Sequence, residues 1–137
     1  METPVMETPV IEELRQRKKV QTVRLMEITD LTQQLAQALN RRDEISVTVL
    51  LSMREEPLRR LQELDMGIRT YLQRLPEASA TRAAELLNGG AAQFPDETPL
   101  CEQVAQYRRL LTSAIELDRQ VSIRMGGNRS FYKTFRE

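Results

Sequence analysis

The sequence has no histidine and no tryptophan, only one cysteine, and an aromatic content of 4%. Each shortage removes a class of function. Without histidine there is no imidazole general base, no histidine-containing catalytic triad and no Glu-x-x-His di-metal site of the kind some helical bundles carry. With Cys101 as the sole thiol, a zinc site lacks its usual ligands and an intramolecular disulfide is impossible, so the composition points to a reducing, cytoplasmic setting. No run of about 18 consecutive apolar residues occurs, and no membrane span is expected. Excess charge is missing too. Lys plus Arg and Asp plus Glu each total 20, a formal net charge of zero, which disfavours nucleic acid as a partner because phosphate binding ordinarily needs a basic surplus. The opening METPVMETPV lacks the basic and apolar segments of a signal peptide and is one pentapeptide written twice.

What is present is helical periodicity. At 137 residues the chain suits a single domain, and its scarce aromatics leave Leu, Ile, Val, Met and Ala to build the core, the material of packed helices. The stretch from Leu31 to Asp65 organises the rest. Ile28, Leu31, Leu35 and Leu39 recur at steps of three and four, as do Leu50, Met53, Leu61, Leu64, Ile68, Leu72 and Leu75 after them. Between the two series, Asn40 suits a left-handed helix terminus and Asp43 suits the next N-cap, which predicts a tight antiparallel hairpin.

The fold expected is all-α: an elongated antiparallel bundle of three long helices, about 9–39, 43–75 and 99–125, with a short helix at about 76–87. Residues 1–8 are expected to be a disordered or extended N-terminal repeat, 9–127 the bundle domain and 128–137 a basic and aromatic tail. In the first helix, Arg15 to Lys19 interrupt the stripe, which returns with Val20, Leu25 and Ile28; a solvated face is expected for this charged half, with projection past the bundle as the alternative. Pro57 removes one backbone hydrogen bond and costs about 3 kcal/mol in a helix interior. The apolar spacing nevertheless continues on both sides of it, so a kinked but continuous helix is predicted. Asn88-Gly89-Gly90 reads as a left-handed helix end and Thr98-Pro99 as the next start. The last helix carries the stripe Leu100, Val104, Tyr107, Leu111, Ala114, Leu117 and Val121, closed by Gly126-Gly127.

No catalytic constellation emerges, and neither an enzyme nor a cofactor is expected. Glu12-Glu13 and Glu55-Glu56 are sequence neighbours that point apart on a helix, unlike a paired acid and base. Cys101, in the first turn of the last helix, is open to activation by the helix dipole but has no identifiable base. Gly126-Gly127-Asn128-Arg129-Ser130 follows a helix instead of opening one, so it does not make a phosphate cradle. The last ten residues hold Phe131, Tyr132 and Phe135, three of the six aromatics, interleaved with Arg129, Lys133 and Arg136. Partner contact, closure of the bundle's open end and stacking on single strands are all compatible with that composition.

The segment LAQALNRRDEISVTVLLSMREEPLRRLQELD resembles the FlgN-like flagellar export chaperones. In that family a leucine-patterned helix, a short turn ending in Asp and a second helix with a basic residue near its middle recur. Leu35, Leu39, Asp43, Leu50, Leu51, Arg54, Leu58 and Leu61 occupy those places here. The resemblance implies a small cytoplasmic chaperone without an active site, which masks an amphipathic helix of a flagellar hook-associated client in an apolar groove. It directs attention to the last helix and tail, with Leu111, Leu117, Val121, Phe131, Tyr132 and Phe135 as candidate partner contacts. A self-associating helical adaptor, such as a homodimer held by the first helix, is the alternative expectation.

Overall fold

The computed structural model describes residues 6–126. The protein is an all-α helical bundle, with no strand among those residues. Its elements are α1 (Thr8–Asn40), α2 (Glu44–Gln73), α3 (Glu77–Leu87), one 3-10 turn (Pro95–Glu97) and α4 (Thr98–Arg124). Every helix end falls within two residues of its predicted position. The expected tail at 128–137, and with it Phe131, Tyr132 and Phe135, lies outside the described residues, as does most of the expected N-terminal segment.

α2 runs unbroken through Pro57, which is buried beside Leu58 and Leu61. The proline leaves the Met53 carbonyl without its usual helical donor, and burial of this apolar run offsets that loss. Two helix ends close by the same device. After α1, the Asp43 amide reaches back to the Ala38 carbonyl and the Arg42 amide to that of Leu39, at 3.0 and 3.1 Å. After α3, the Gly90 amide reaches Glu85 and the Gly89 amide reaches Leu86, at 2.9 and 3.0 Å. At the first end the left-handed residue is Arg42 (φ 56°), not the predicted Asn40, which stays helical. At the second, Gly89 takes φ 95°, and a Cβ on Gly90 would meet the Glu85 carbonyl oxygen at 2.8 Å. Asp43 caps α2 as predicted: its carboxylate accepts from the Ser46 amide (3.1 Å) and hydroxyl (2.6 Å), which hold its pKa below the usual carboxylate range.

The described residues form two compact units. The first comprises residues 6–22 with 62–108. Its core joins Met6, Ile11 and Leu14 to Ala83, Leu86, Leu100 and Val104, flanked by Tyr71, Leu72 and Cys101. The stripe of α1 continues here through the polar interval: Lys18 and Gln21 are buried, whereas Val20 is exposed. This corrects the prediction of a solvated face. The Lys18 ammonium donates to Gln21 Oε1 at 2.9 Å and stands 3.9 Å from the centre of the Tyr107 ring, two contacts that compensate its loss of water. Arg15 likewise reaches Gln103, so α1 and α4 ascend side by side within this unit.

Burial lowers the Lys18 pKa from 10.5 to about 8, the nearby Asp65 carboxylate opposing that fall and Arg108 adding to it. Between those values the folded chain has released a proton that the unfolded chain still holds, so stability rises with pH across that window. Urea denaturation should show wild-type stability increasing by up to about 3 kcal/mol from roughly pH 7.5 to 10. The increase should be absent in Lys18→Met; an equal slope in both proteins contradicts the assignment.

The second unit comprises residues 23–61 with 109–126. Leu31, Leu35 and Ala38 of α1, Leu50 of α2 and Val121 of α4 form an apolar core, with Leu39, Val47 and Leu51 packed against it. The tight turn makes α1 and α2 antiparallel here, and α4 runs alongside α1, its Arg124 donating to Asn40 Oδ1.

Candidate partner-binding face

The α1–α2 hairpin of the second unit has two sides with different chemistry, and a buried ion pair lies on the inner one. Arg54 is 1% exposed and Asp118 is fully buried. Arg54 Nη1 donates to Asp118 Oδ1 and to Thr32 Oγ1, each at 3.0 Å, and the Thr32 hydroxyl donates onward to the Ile28 carbonyl at 2.8 Å. One guanidinium thereby ties α2 to both α4 and α1. A charge-assisted bond inside the unit, where water cannot substitute for the partner, sets the rotation of α2 about its own axis.

That rotation turns Met53 outward. The sequence pattern placed Met53 on the buried stripe; it is 53% exposed, and its neighbour Arg54 takes the inward position. Ile45 and Val49, two turns and one turn before Met53, share its outward face, at 80% and 51% exposure. Facing them from α1 are Val23 and Met26, 55% and 51% exposed. Single exposed apolar residues are ordinary, but these five lie on one side of two adjacent helices, where together they form a patch able to meet another molecule. The patch follows two shallow depressions that meet at Gln34. One is lined by Val23, Met26, Glu27, Asp30 and Met53, the other by Gln37, Arg41, Ile45 and Val49. Glu27 and Asp30 stand among the apolar residues of the first depression and Arg41 among those of the second, with Gln34 between them.

Of the residues singled out from sequence, Leu111, Leu117 and Val121 lie elsewhere, on α4, and Phe131, Tyr132 and Phe135 lie outside the described residues. Val121 is 1% exposed in the core and offers no surface to a partner; Leu111 and Leu117 are half-buried on α4. The signal missed in the sequence was a second stripe at four-residue spacing, Ile45, Val49 and Met53, running beside the buried one.

Among the described residues no three carboxylate or thiol groups converge as a metal site requires, and no helix is long and apolar enough to cross a membrane. The Cys101 thiol donates to the Gly90 carbonyl at 3.5 Å. Burial, reinforced by the Glu97 carboxylate, pushes its pKa up, away from the reactive thiolate. In the first unit, Arg82 and Glu97 form a buried pair that anchors the 88–97 loop to α3. Comparison of the chain with protein-family models, with curated proteins and with solved structures gives no match.

Proposed function

We propose that the protein is a non-enzymatic, cytoplasmic binding module that receives an amphipathic helix of a protein client on the α1–α2 face, as an export chaperone of the flagellar type does. What supports the reading is the exposed strip of Val23, Met26, Ile45, Val49 and Met53 on a hairpin whose rotation is held from behind by Arg54 and Asp118. The strip suits a helix laid along the groove, with the two methionines adapting to its side chains. The ends specify the rest of the client's chemistry: basic residues beside Glu27 and Asp30, and an acidic residue beside Arg41. Binding there covers apolar surface on both molecules, which is all that masking requires.

Calorimetric titration with a peptide carrying the C-terminal amphipathic helix of a flagellar hook-associated protein tests this. Micromolar or tighter binding is expected, weakened at least about tenfold by Val49→Asp with Met53→Asp, since each buries a charge against the client's apolar stripe. Both positions are exposed, so far-UV circular dichroism should be unchanged. Equal affinity in the double variant removes the face from the reading; no binding by wild type removes the flagellar client.

A further inference from the structure

The order of chemistry along this face has a symmetry that a one-sided groove does not need. On α1, Glu27, Gln34 and Arg41 are spaced by seven residues, two helical turns, so acid, amide and base stand about 10 Å apart on one side of the helix. On α2, Ile45, Val49 and Met53 are spaced by four, with Val49 in the middle. Gln34 borders both depressions, and Val49 faces it from α2. A two-fold axis passing between Gln34 and Val49 therefore maps each end of the face onto its chemical complement.

We infer that, when no client is bound, the occupant of this face is a second copy of the same chain. The inference rests on the proposed binding role of the face and names what covers it at rest. In the two-fold arrangement the hairpins cross antiparallel. Glu27 meets Arg41 of the second copy, and Arg41 meets its Glu27; Ile45 packs on the second Met53, and Val49 on Val49. Such an isologous contact satisfies both ends at once. It also requires little rearrangement. Glu27 is held by Arg24 at 2.8 Å and Arg41 by Asp43 at 3.8 Å; both are exposed pairs, which contribute little and exchange readily across an interface. A two-fold axis parallel to the helices would instead lay each α1 over the α2 of the second copy, setting Glu27 against Met53 and Arg41 against Ile45 with no opposite charge to meet, so charge selects the antiparallel arrangement.

The dimer hides the apolar strip until a client competes for it. Client affinity should therefore fall as the concentration of the protein rises, by mass action.

Sedimentation equilibrium of the full chain over roughly 1 to 300 μM, a range that brackets micromolar association, tests the inference. Wild type is expected to pass from monomer to dimer. Glu27→Arg alone places two arginines together at each end of the contact, and Arg41→Glu alone places two glutamates there. Each variant should dimerise about tenfold more weakly or not at all, with unchanged circular dichroism. Mixed in equal amounts, the two variants should form a heterodimer, since one chain then carries arginine at both positions and the other carries glutamate at both. Combining both changes in one chain should restore the homodimer. A wild type that stays monomeric at every concentration overturns the inference. So does a dimer indifferent to both reversals, or a mixture that fails to associate. A monomer whose hook-associated peptide binding still depends on Met53 leaves the proposed function standing, whereas a charge-sensitive dimer that binds no such peptide sustains the inference about the face and rejects the client.

Discussion

Asp118→Ala is expected to lower stability by about 3–5 kcal/mol, the typical cost of removing one member of a buried ion pair. The reason is not the lost attraction alone. Arg54 would keep its charge in a site that is 1% exposed, with Thr32 as a neutral neighbour in place of the carboxylate. Urea denaturation followed by circular dichroism at neutral pH measures the loss. Replacing both partners with apolar residues of similar volume, Arg54→Met with Asp118→Leu, should recover most of it, because no charge is then left behind. Recovery of stability need not restore the face. Without the guanidinium bridging α1 and α4, the contact that favours Met53 outward is lost, and the double variant should bind the client peptide more weakly than its stability suggests. An Asp118→Ala protein within about 1 kcal/mol of wild type contradicts the organising role given to the pair.

Glu97→Gln is expected to cost about 3 kcal/mol, for a reason that lies in the first unit. Glu97 Oε1 accepts from Arg82 Nη2 at 2.8 Å and from the Gln93 and Phe94 amides at 2.9 and 3.3 Å, while Oε2 accepts from Arg82 Nε at 3.2 Å. Arg82 also donates to the Ala91 carbonyl at 3.0 Å and to Glu85 at 2.9 Å. A carboxylate suits this place because every neighbour is a donor. Glutamine keeps the shape but turns an amide N–H₂ toward one of those donors, and the loop from Asn88 to Glu97 loses its anchor.

The same geometry sets a pH dependence. The Arg82 guanidinium and the two backbone amides hold the Glu97 pKa below its usual 4.5, although burial opposes them. The unfolded chain therefore takes up the proton first as pH falls. This contribution is complete above about pH 4.5 and is lost as pH drops through that value toward the depressed folded pKa. Denaturation at about pH 7 and about pH 3.5 should show the gap between wild type and Glu97→Gln narrowing in acid. A gap that is constant or wider at low pH would falsify the ionised role of Glu97. Asp43 and Glu56, whose pKa values are also lowered, sit at exposed positions and are common to both proteins, so they cancel in the comparison.

The sequence by itself determined the helices. Their starts at Thr8-Pro9 and Asp43, the end at Asn88-Gly89 and the passage of α2 through Pro57 follow from caps, turns and apolar spacing, which act over a few residues and can be read locally. The shift of the left-handed position from Asn40 to Arg42 is the size of error that local signals allow. The stripes also marked the inner side of each long helix, but only the tertiary structure decided which polar residues join that side and where its edge falls. An apolar stripe predicts burial by counting hydrocarbon, and that count assigned Met53 inward and passed over Lys18, Gln21, Arg54 and Asp118, all of which are buried. A charged residue becomes a core residue only when its partner arrives from elsewhere: Asp118 lies 64 residues from Arg54, and Tyr107 is carried to Lys18 by a different helix. The exposed face of Ile45, Val49 and Met53 is the consequence. The edge of a helix's buried face depends on which polar groups find partners across the unit, and no periodicity along one stretch of sequence contains that choice.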